Sequence, residues 1–384
     1  MSAALPPLSL YLHLPWCVRK CPYCDFNSHT AGPATDKRRY LAALLSDIAL
    51  EAGRAGGRTV ETVFLGGGTP SLFSAADIGR LIDAIAGCCR LAADAEITME
   101  ANPGTLEHDS LVDYRRAGIN RLSLGAQSFN DESLKRLGRI HGANEILDAW
   151  RDAERAAFDS INLDLMFALP GQNVDMAVAD VLQAVRLSPA HISYYQLTLE
   201  PNTVFHAKPP ADLPDDELCW DIEQHGHARL AAGGYERYEV SAFARPGFRC
   251  RHNVNYWQFG DYLALGAGAH GKITADDRTI RRYTKPAHPR VYMEQIESGR
   301  PGISEQKLES GEIGFEYLLN ALRLPEGFAE AQFVSRTGLP FSAVWPGVSR
   351  ARASGLLESA ATGQWRPTEQ GLRFLNDLQA VFLD

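Results

Sequence analysis

Residues 9–24 read Ser9-Leu-Tyr-Leu-His-Leu-Pro-Trp-Cys-Val-Arg-Lys-Cys-Pro-Tyr-Cys24, and two signals meet there. Ser9–Leu14 has the short, apolar-rich make-up of a strand, and Pro15 closes it. Directly behind it come Cys17, Cys21 and Cys24, a C-x3-C-x2-C run on one tight loop. Working outward, further strand candidates are Thr59–Leu65, Glu96–Glu100, Arg121–Leu124, Ile161–Met166 and His191–Leu197. Amphipathic stretches with helical spacing lie between them, among them Asp36–Ala52, Ala75–Cys89 and Asp175–Leu187. Six such alternations predict βαβ units and a parallel sheet. Cys17, Gly66–Thr69, Glu100, Gln127 and Asp164 all fall at or just past the carboxyl end of a predicted strand. A flat sheet would spread those ends along a wide edge, whereas a barrel gathers them on one face. The expected fold is α/β, a partial (β/α)6 barrel.

After about Lys272 the rhythm stops. Asp276–Pro301 is polar and basic with three prolines and reads as a connecting segment. Ser310–Leu322 is predicted helical with Ser310 as N-cap. Arg350–Glu358, Trp365 and Thr368–Leu383 read as helix, short strand and helix. The expectation is a barrel unit over 1–272 and a small C-terminal α/β, winged-helix-like unit over 273–384.

The chain has 384 residues, ample for a large core, and its 45% hydrophobic and 22% charged residues are ordinary globular composition. A net charge of −9 lacks the basic footprint of phosphate-backbone binding, so no nucleic-acid partner is expected. No run approaches the ~18 apolar residues of a transmembrane helix, although peripheral membrane association stays open. Met1–Trp16 carries no Lys or Arg and three prolines, unlike a signal peptide. Seven cysteines, three of them clustered, disfavour a disulfide framework and favour a reducing, cytoplasmic setting.

Three thiolates on one loop can hold three corners of a [4Fe–4S] cube, leaving one iron open. Two other readings compete on spacing alone. Cys21-Pro-Tyr-Cys24 matches a dithiol redox motif, and Cys17, Cys21, Cys24 and His29 would make a Cys3His zinc site. Cys88, Cys89 and Cys219 fall in predicted helices and are expected to be buried apolar residues.

The loop, with Tyr23 before its third cysteine, resembles the radical S-adenosylmethionine (SAM) superfamily. Further segments narrow the resemblance: Tyr11-Leu-His-Leu-Pro-Trp-Cys17, Gly66-Gly-Gly-Thr-Pro70, Glu100-Ala-Asn-Pro103, Ser123-Leu-Gly-Ala-Gln-Ser-Phe-Asn130 and Asn162-Leu-Asp164. Their order and spacing are similar to those of the oxygen-independent coproporphyrinogen III oxidases and the HemW-type haem chaperones. The likeness covers most of the chain, including Phe315–Gly327. It implies a radical-SAM barrel in which Cys17, Cys21 and Cys24 ligate the cluster and SAM chelates the open iron. It also implies SAM contacts at Glu100, Gln127, Arg139 and Asp164, with Tyr11 and Tyr23 as aromatic neighbours. Gly66, Gly67 and Gly68 would let the backbone approach the methionyl end, and Thr69 would continue that wall. Otherwise the glycines are a tight strand-to-helix turn.

Two features separate the two relatives. The oxidases carry a further cysteine two positions past the third, where this chain has Phe26. His252-Asn-Val-Asn-Tyr-Trp257 matches the HNxxYW motif of the chaperones. The resemblance therefore implies haem as ligand and an unnamed haem-acceptor protein as partner, with oxidative decarboxylation of coproporphyrinogen as the alternative. The motif is read as part of a loop containing Gly and Pro. His252 is the expected iron contact, assisted by Tyr256 and Trp257, with Cys250 as a rival. Arg245, Arg249 and Arg251 are expected to meet the two haem propionates.

Overall fold

The computed structural model describes residues 4–32, 35–105 and 109–383. Its centre is a twelve-stranded sheet. Leu8–Leu14, Thr59–Gly67, Arg90–Ala101, Arg121–Gln127, Ser160–Phe167 and His191–Gln196 run parallel, each beside the next. All six predicted strands are present, five of them lengthened by one to several residues and the sixth, His191–Gln196, one residue shorter than expected.

Both faces of these strands are buried, but differently. Leu8, Leu10, Leu12 and Leu14 belong to the large hydrophobic core, as do Val63, Leu65, Leu122, Leu124, Leu163 and Leu165. The residues between them are Ser9, Tyr11 and His13, then Thr62, Ser123, Asn162 and Asp164. Because side chains alternate along a strand, the apolar set packs under the helices and the polar set lines the concave side. Strands ~4.8 Å apart would separate the first and sixth by about 24 Å in a flat sheet. Here residues from the first-strand loop, the five following strands and the far-edge Glu239 line one cavity, so the sheet is curled. Its two edges, Ser304–Lys307 and Glu236–Glu239, are not paired with each other, and the barrel is partial.

Three features depart from expectation. Asp261–Leu265 is a seventh parallel strand beside the first. His270–Thr274, Ile280–Thr284 and Ser304–Lys307 then continue the same sheet antiparallel. The segment read as a connector therefore holds a strand and the helix Pro289–Glu297. Ser304–Lys307 is exposed throughout and charged, as an edge strand that avoids further pairing should be. The third departure is that His252-to-Trp257 is helical, within Arg251–Trp257, rather than a loop.

Beyond Lys307 a second hydrophobic cluster gathers Tyr317, Leu318, Phe333, Val348, Leu357 and Trp365. The helix Ser310–Ala321 is capped by Glu309 rather than Ser310, with Glu312 returning the contact in a capping box. Phe328–Ala329, Gln364–Pro367 and Leu357–Ala361 form a three-stranded antiparallel sheet. The helix expected at Arg350–Glu358 lies at Trp345–Ala353, and its predicted end is strand.

Candidate functional site: two cavities divided by a helix

The cysteine loop is tied at both ends. Trp16–Cys17 pairs with His29–Thr30, and the His29 N–H donates to Pro15 O at 2.7 Å. Asn27 then fastens the loop to distant chain, donating from Nδ2 to Ala267 O at 3.0 Å and Ala287 O at 2.7 Å. His13 Nε2 meets Asn27 O at 2.9 Å from the strand side. Cys17, Cys21 and Cys24 are unpaired, half-buried and turned to the same cavity. Burial pushes the Cys17 and Cys24 thiols up, so iron binding there must release protons. Among the described residues no three His, Cys, Asp or Glu side chains already converge on one point, the cysteine loop included. Cys89 and Cys250 are buried as small apolar residues would be, but Cys88 is exposed, against expectation.

The cavity measures about 570 Å³ and collects most of the residues singled out from sequence. Glu100 is half-buried at the cavity wall, and its carboxyl is pushed up to about 7 by desolvation and by nearby Asp164. The Asp164 carboxyl is also raised by burial, with Asn162 and Ser123 hydrogen bonds opposing. Gln127 sits at a register shift with φ of 58°, left-handed backbone that re-aims its side chain. Its Oε1 is buried with no partner among the described residues, an acceptor waiting for a donor. Arg139 reaches Cys21 Sγ at 3.8 Å and donates to Asn102 Oδ1 and Gly125 O at 2.5 and 3.1 Å. Tyr23 lines this cavity too and packs on Phe205.

The glycine run serves a close crossing of chains. A Cβ on Gly67, at φ +107°, would lie 2.3 Å from the His13 ring, and one on Gly68 would lie 2.6 Å from Trp16 O. The N–H groups of Gly67, Gly68 and Thr69 donate to Glu100, Leu14 O and Trp16 O. They are therefore engaged within the protein. What the glycines leave at the cavity wall is space. Thr69 is buried beside this wall, its Oγ1 accepting from Asn102 Nδ2 at 3.0 Å.

A second cavity of about 460 Å³ adjoins the first, sharing Phe26, Gly67 and Glu100. Tyr11, expected beside SAM with Tyr23, faces this cavity instead, with His252, Tyr256, His13, Tyr262 and His270, because its place on the first strand lies under the helix Arg251–Trp257. The helix Arg251–Trp257 lies against the strands Leu8–Leu14, Thr59–Gly67 and Asp261–Leu265. Residues four apart share a helix face. Accordingly His252 and Tyr256 line the second cavity, while Asn253 and Trp257 line the first, so Trp257, expected beside His252, faces away from it. The HNxxYW spacing is thus two adjacent i, i+4 pairs, one for each side of a dividing wall. Trp257 is further covered by the Arg323 guanidinium, 4.4 Å above its ring.

The protonation of His252 follows from its neighbours. Thr62 Oγ1 donates to Ser9 Oγ at 2.8 Å and lies 2.9 Å from His252 Nδ1. The roles in this trio are linked: where Thr62 gives its one proton to Ser9, it accepts from His252, Nδ1 carries the hydrogen and Nε2 keeps a lone pair. Burial and Arg121 hold the imidazole neutral, pushing it down to about 3. Phe64 packs 5.1 Å from its ring.

Cys250 and the three arginines do not reach either cavity. Cys250 is fully buried, its thiol pushed up to about 12 by burial and turned to Glu96 Oε1 at 3.5 Å. It lines neither cavity. Arg245 bonds Ser188 and Pro189 O, Arg249 pairs with Glu326, and Arg251 with Asp94. Proximity in sequence had placed the three arginines at the ligand; the fold turns each to an outer partner. His13, Asn102 and Asn253 lie inside motifs quoted from the sequence but were given no role there, and Tyr262 and His270 escaped the sequence reading altogether.

Comparison with known proteins agrees with this architecture. The radical SAM superfamily profile matches residues 11–183. Heme chaperone HemW of Escherichia coli K12 is 50% identical over 99% of both chains. HemW of Haemophilus influenzae is 46% identical over 99% of this chain and 98% of its own. HemW of Bacillus subtilis is 32% identical over 98% and 99%. In fold, the coproporphyrinogen III oxidase HemN of Escherichia coli superposes with a TM-score of 0.82 at 24% identity, covering 98% of this chain and 90% of that one. With half its residues shared along the full length of such a relative, the chain belongs to the HemW family of radical SAM proteins.

Proposed function

We propose that this protein binds haem and passes it to an acceptor protein, on a scaffold that holds a [4Fe–4S] cluster and SAM. The relatives' names supply the class of ligand. The observation that carries it to this chain is the His252–Tyr256 face, where a neutral imidazole offers Nε2 to an aromatic-walled cavity beside the cysteine loop. An imidazole lone pair is a common axial donor to haem iron, and flat aromatic walls suit a porphyrin. Tyr11 and Tyr262 supply such walls here.

In the first cavity, Cys17, Cys21 and Cys24 are the cluster's thiolates. Arg139, beside Cys21, suits a carboxylate of SAM, while Gln127 Oε1 and the Asp164 carboxyl suit its amino and hydroxyl donors. Bound together, cluster and SAM supply radical chemistry. This chain's residues orient them, and Glu100, a carboxyl pushed up to about 7, can exchange a proton near neutral pH where the two cavities meet. Seven unpaired cysteines suit a reducing cytoplasm. Among the described residues no helix is long and apolar enough to cross a membrane.

The test is anaerobic reconstitution with iron and sulfide, then titration with haemin. The proposal expects a broad cluster absorbance near ~400 nm and a saturable Soret band at about one haem per chain. It also expects no turnover of coproporphyrinogen, because Phe26 stands where the oxidases carry their extra cysteine. A protein that turns over coproporphyrinogen and takes up no haem would overturn it.

A further inference from the structure

A buried chain of hydrogen bonds runs from the first cavity to the start of the dividing helix. At the cavity, Asp164 Oδ1 accepts from Asn162 Nδ2 at 2.8 Å. Asn162 Oδ1 meets His191 Nδ1 at 2.6 Å. An amide oxygen can only accept, so Nδ1 carries the proton. Burial keeps this imidazole neutral, which leaves Nε2 to accept from the Tyr238 hydroxyl at 2.7 Å. The Tyr238 oxygen in turn accepts from the Cys250 N–H at 3.2 Å. Asn162, His191 and Tyr238 are each 1% exposed and Cys250 0%, so water cannot replace a broken link. Every donor points the same way, from the helix toward Asp164.

A second connection runs beside it. Glu96 accepts the N–H groups of Arg251 and His252, both at 3.0 Å, and so fixes the first turn that carries His252. The buried Arg121 guanidinium lies within electrostatic reach of both Glu96 and Asp164. Any redistribution of charge at Asp164 is felt by the group that holds the helix.

Such a chain has one polarity; side branches join it only at the Asn162 end, where Ser123 Oγ accepts from Nδ2 at 2.8 Å and Ser193 Oγ donates to Oδ1 at 3.1 Å, so a new bond at Asp164 reaches the members beyond through Asn162. We propose that SAM, on engaging Asp164, changes the haem affinity of the His252 face through Asn162, His191, Tyr238 and Cys250, with His191 and Tyr238 as positioning residues. This inference rests on the haem-and-SAM reading above and adds its regulation. By linkage, haem must change the affinity for SAM by the same factor.

The experiment uses the reconstituted protein with its cluster kept oxidised, so that SAM is not consumed. Haemin is titrated with and without SAM, and affinity is read from the Soret band. In the wild type the two affinities should differ by at least about fivefold, the lower end of ordinary coupling. Tyr238→Phe keeps the ring and removes the link, and its ratio should fall to within about twofold of unity. His191→Asn keeps an amide donor toward Asn162 but cannot span to Tyr238, and should behave likewise. Tyr235→Phe loses a comparable buried bond, to Pro189 O at 2.7 Å, outside the chain, and should keep the wild-type ratio. Haem binding that ignores SAM in the wild type overturns the coupling and leaves the haem reading intact. Full coupling retained in both Tyr238→Phe and His191→Asn overturns the route. Failure of the wild type to bind haem at all overturns the underlying reading, and the coupling with it.

Discussion

His252 should make the haem-free protein acid-labile by an amount that can be isolated. In the folded chain its imidazole is held neutral down to about 3, against the ordinary value of 6.5. Below pH 6.5 the unfolded chain takes up a proton that the folded chain refuses, so stability falls as pH falls, from 6.5 toward 3. Each pH unit below that threshold costs about 1.4 kcal/mol, or about 2 kcal/mol between pH 7 and pH 5. Other buried histidines, such as His13 and His227, contribute in the same direction, and Glu100 and Asp180, whose carboxyls are raised, in the opposite one. A difference measurement removes them all. His252→Gln keeps a polar group toward Thr62 and has no titration. Urea unfolding of both proteins at pH 7 and pH 5, followed by far-UV circular dichroism, yields the two losses. The wild type should lose about 2 kcal/mol more than His252→Gln. Equal losses would mean that His252 is protonated in the folded chain, and the lone pair assigned to Nε2 would not exist.

Three further outcomes follow from the geometry. Cys21→Ala should lower iron content after reconstitution from about four per chain to near zero, whereas Cys88→Ala should leave it unchanged; iron analysis decides it. Lys285 is fully buried between Asp47 and Glu51, 2.7 Å from each; Lys285→Met leaves Asp47 with only neutral donors and Glu51 with Tyr283 and Arg54, and should cost about 3–5 kcal/mol in urea unfolding. A loss under 1 kcal/mol would show that the carboxylates find other partners. Gly67→Ala drives a Cβ into the His13 ring from a left-handed backbone and should destabilise by more than about 1 kcal/mol, while the exposed Gly87→Ala should be neutral or stabilising by thermal melt.

What the sequence shows of this molecule tracks where physics leaves a local pattern. The six parallel strands were legible because both faces are buried and their ends carry turn residues. The cysteine loop was legible because three thiols within eight residues have few other uses. Asp261–Leu265 was hidden, since the short helix before it does not look like a crossover of ordinary length. Ile280–Thr284 and Ser304–Lys307 were hidden because edge strands are kept polar to prevent further pairing. The second cavity was illegible because its walls come from residues 11, 252 and 270, which the pairing of Asp261–Leu265 with the first strand, hidden in the sequence, brings together. The arginines at 245, 249 and 251 illustrate the converse error. They are neighbours in sequence, yet each turns to a different acidic or carbonyl partner.

The central claim is that haem iron meets His252 and not Cys250. The direct measurement is one haemin titration series on the reconstituted wild type, His252→Ala and Cys250→Ala, comparing Soret position and affinity. The account predicts that His252→Ala shifts the band and weakens binding at least about tenfold, a difference of about 1.4 kcal/mol, while Cys250→Ala keeps both wild-type values. A wild-type spectrum and affinity in His252→Ala, with the loss confined to Cys250→Ala, would contradict it.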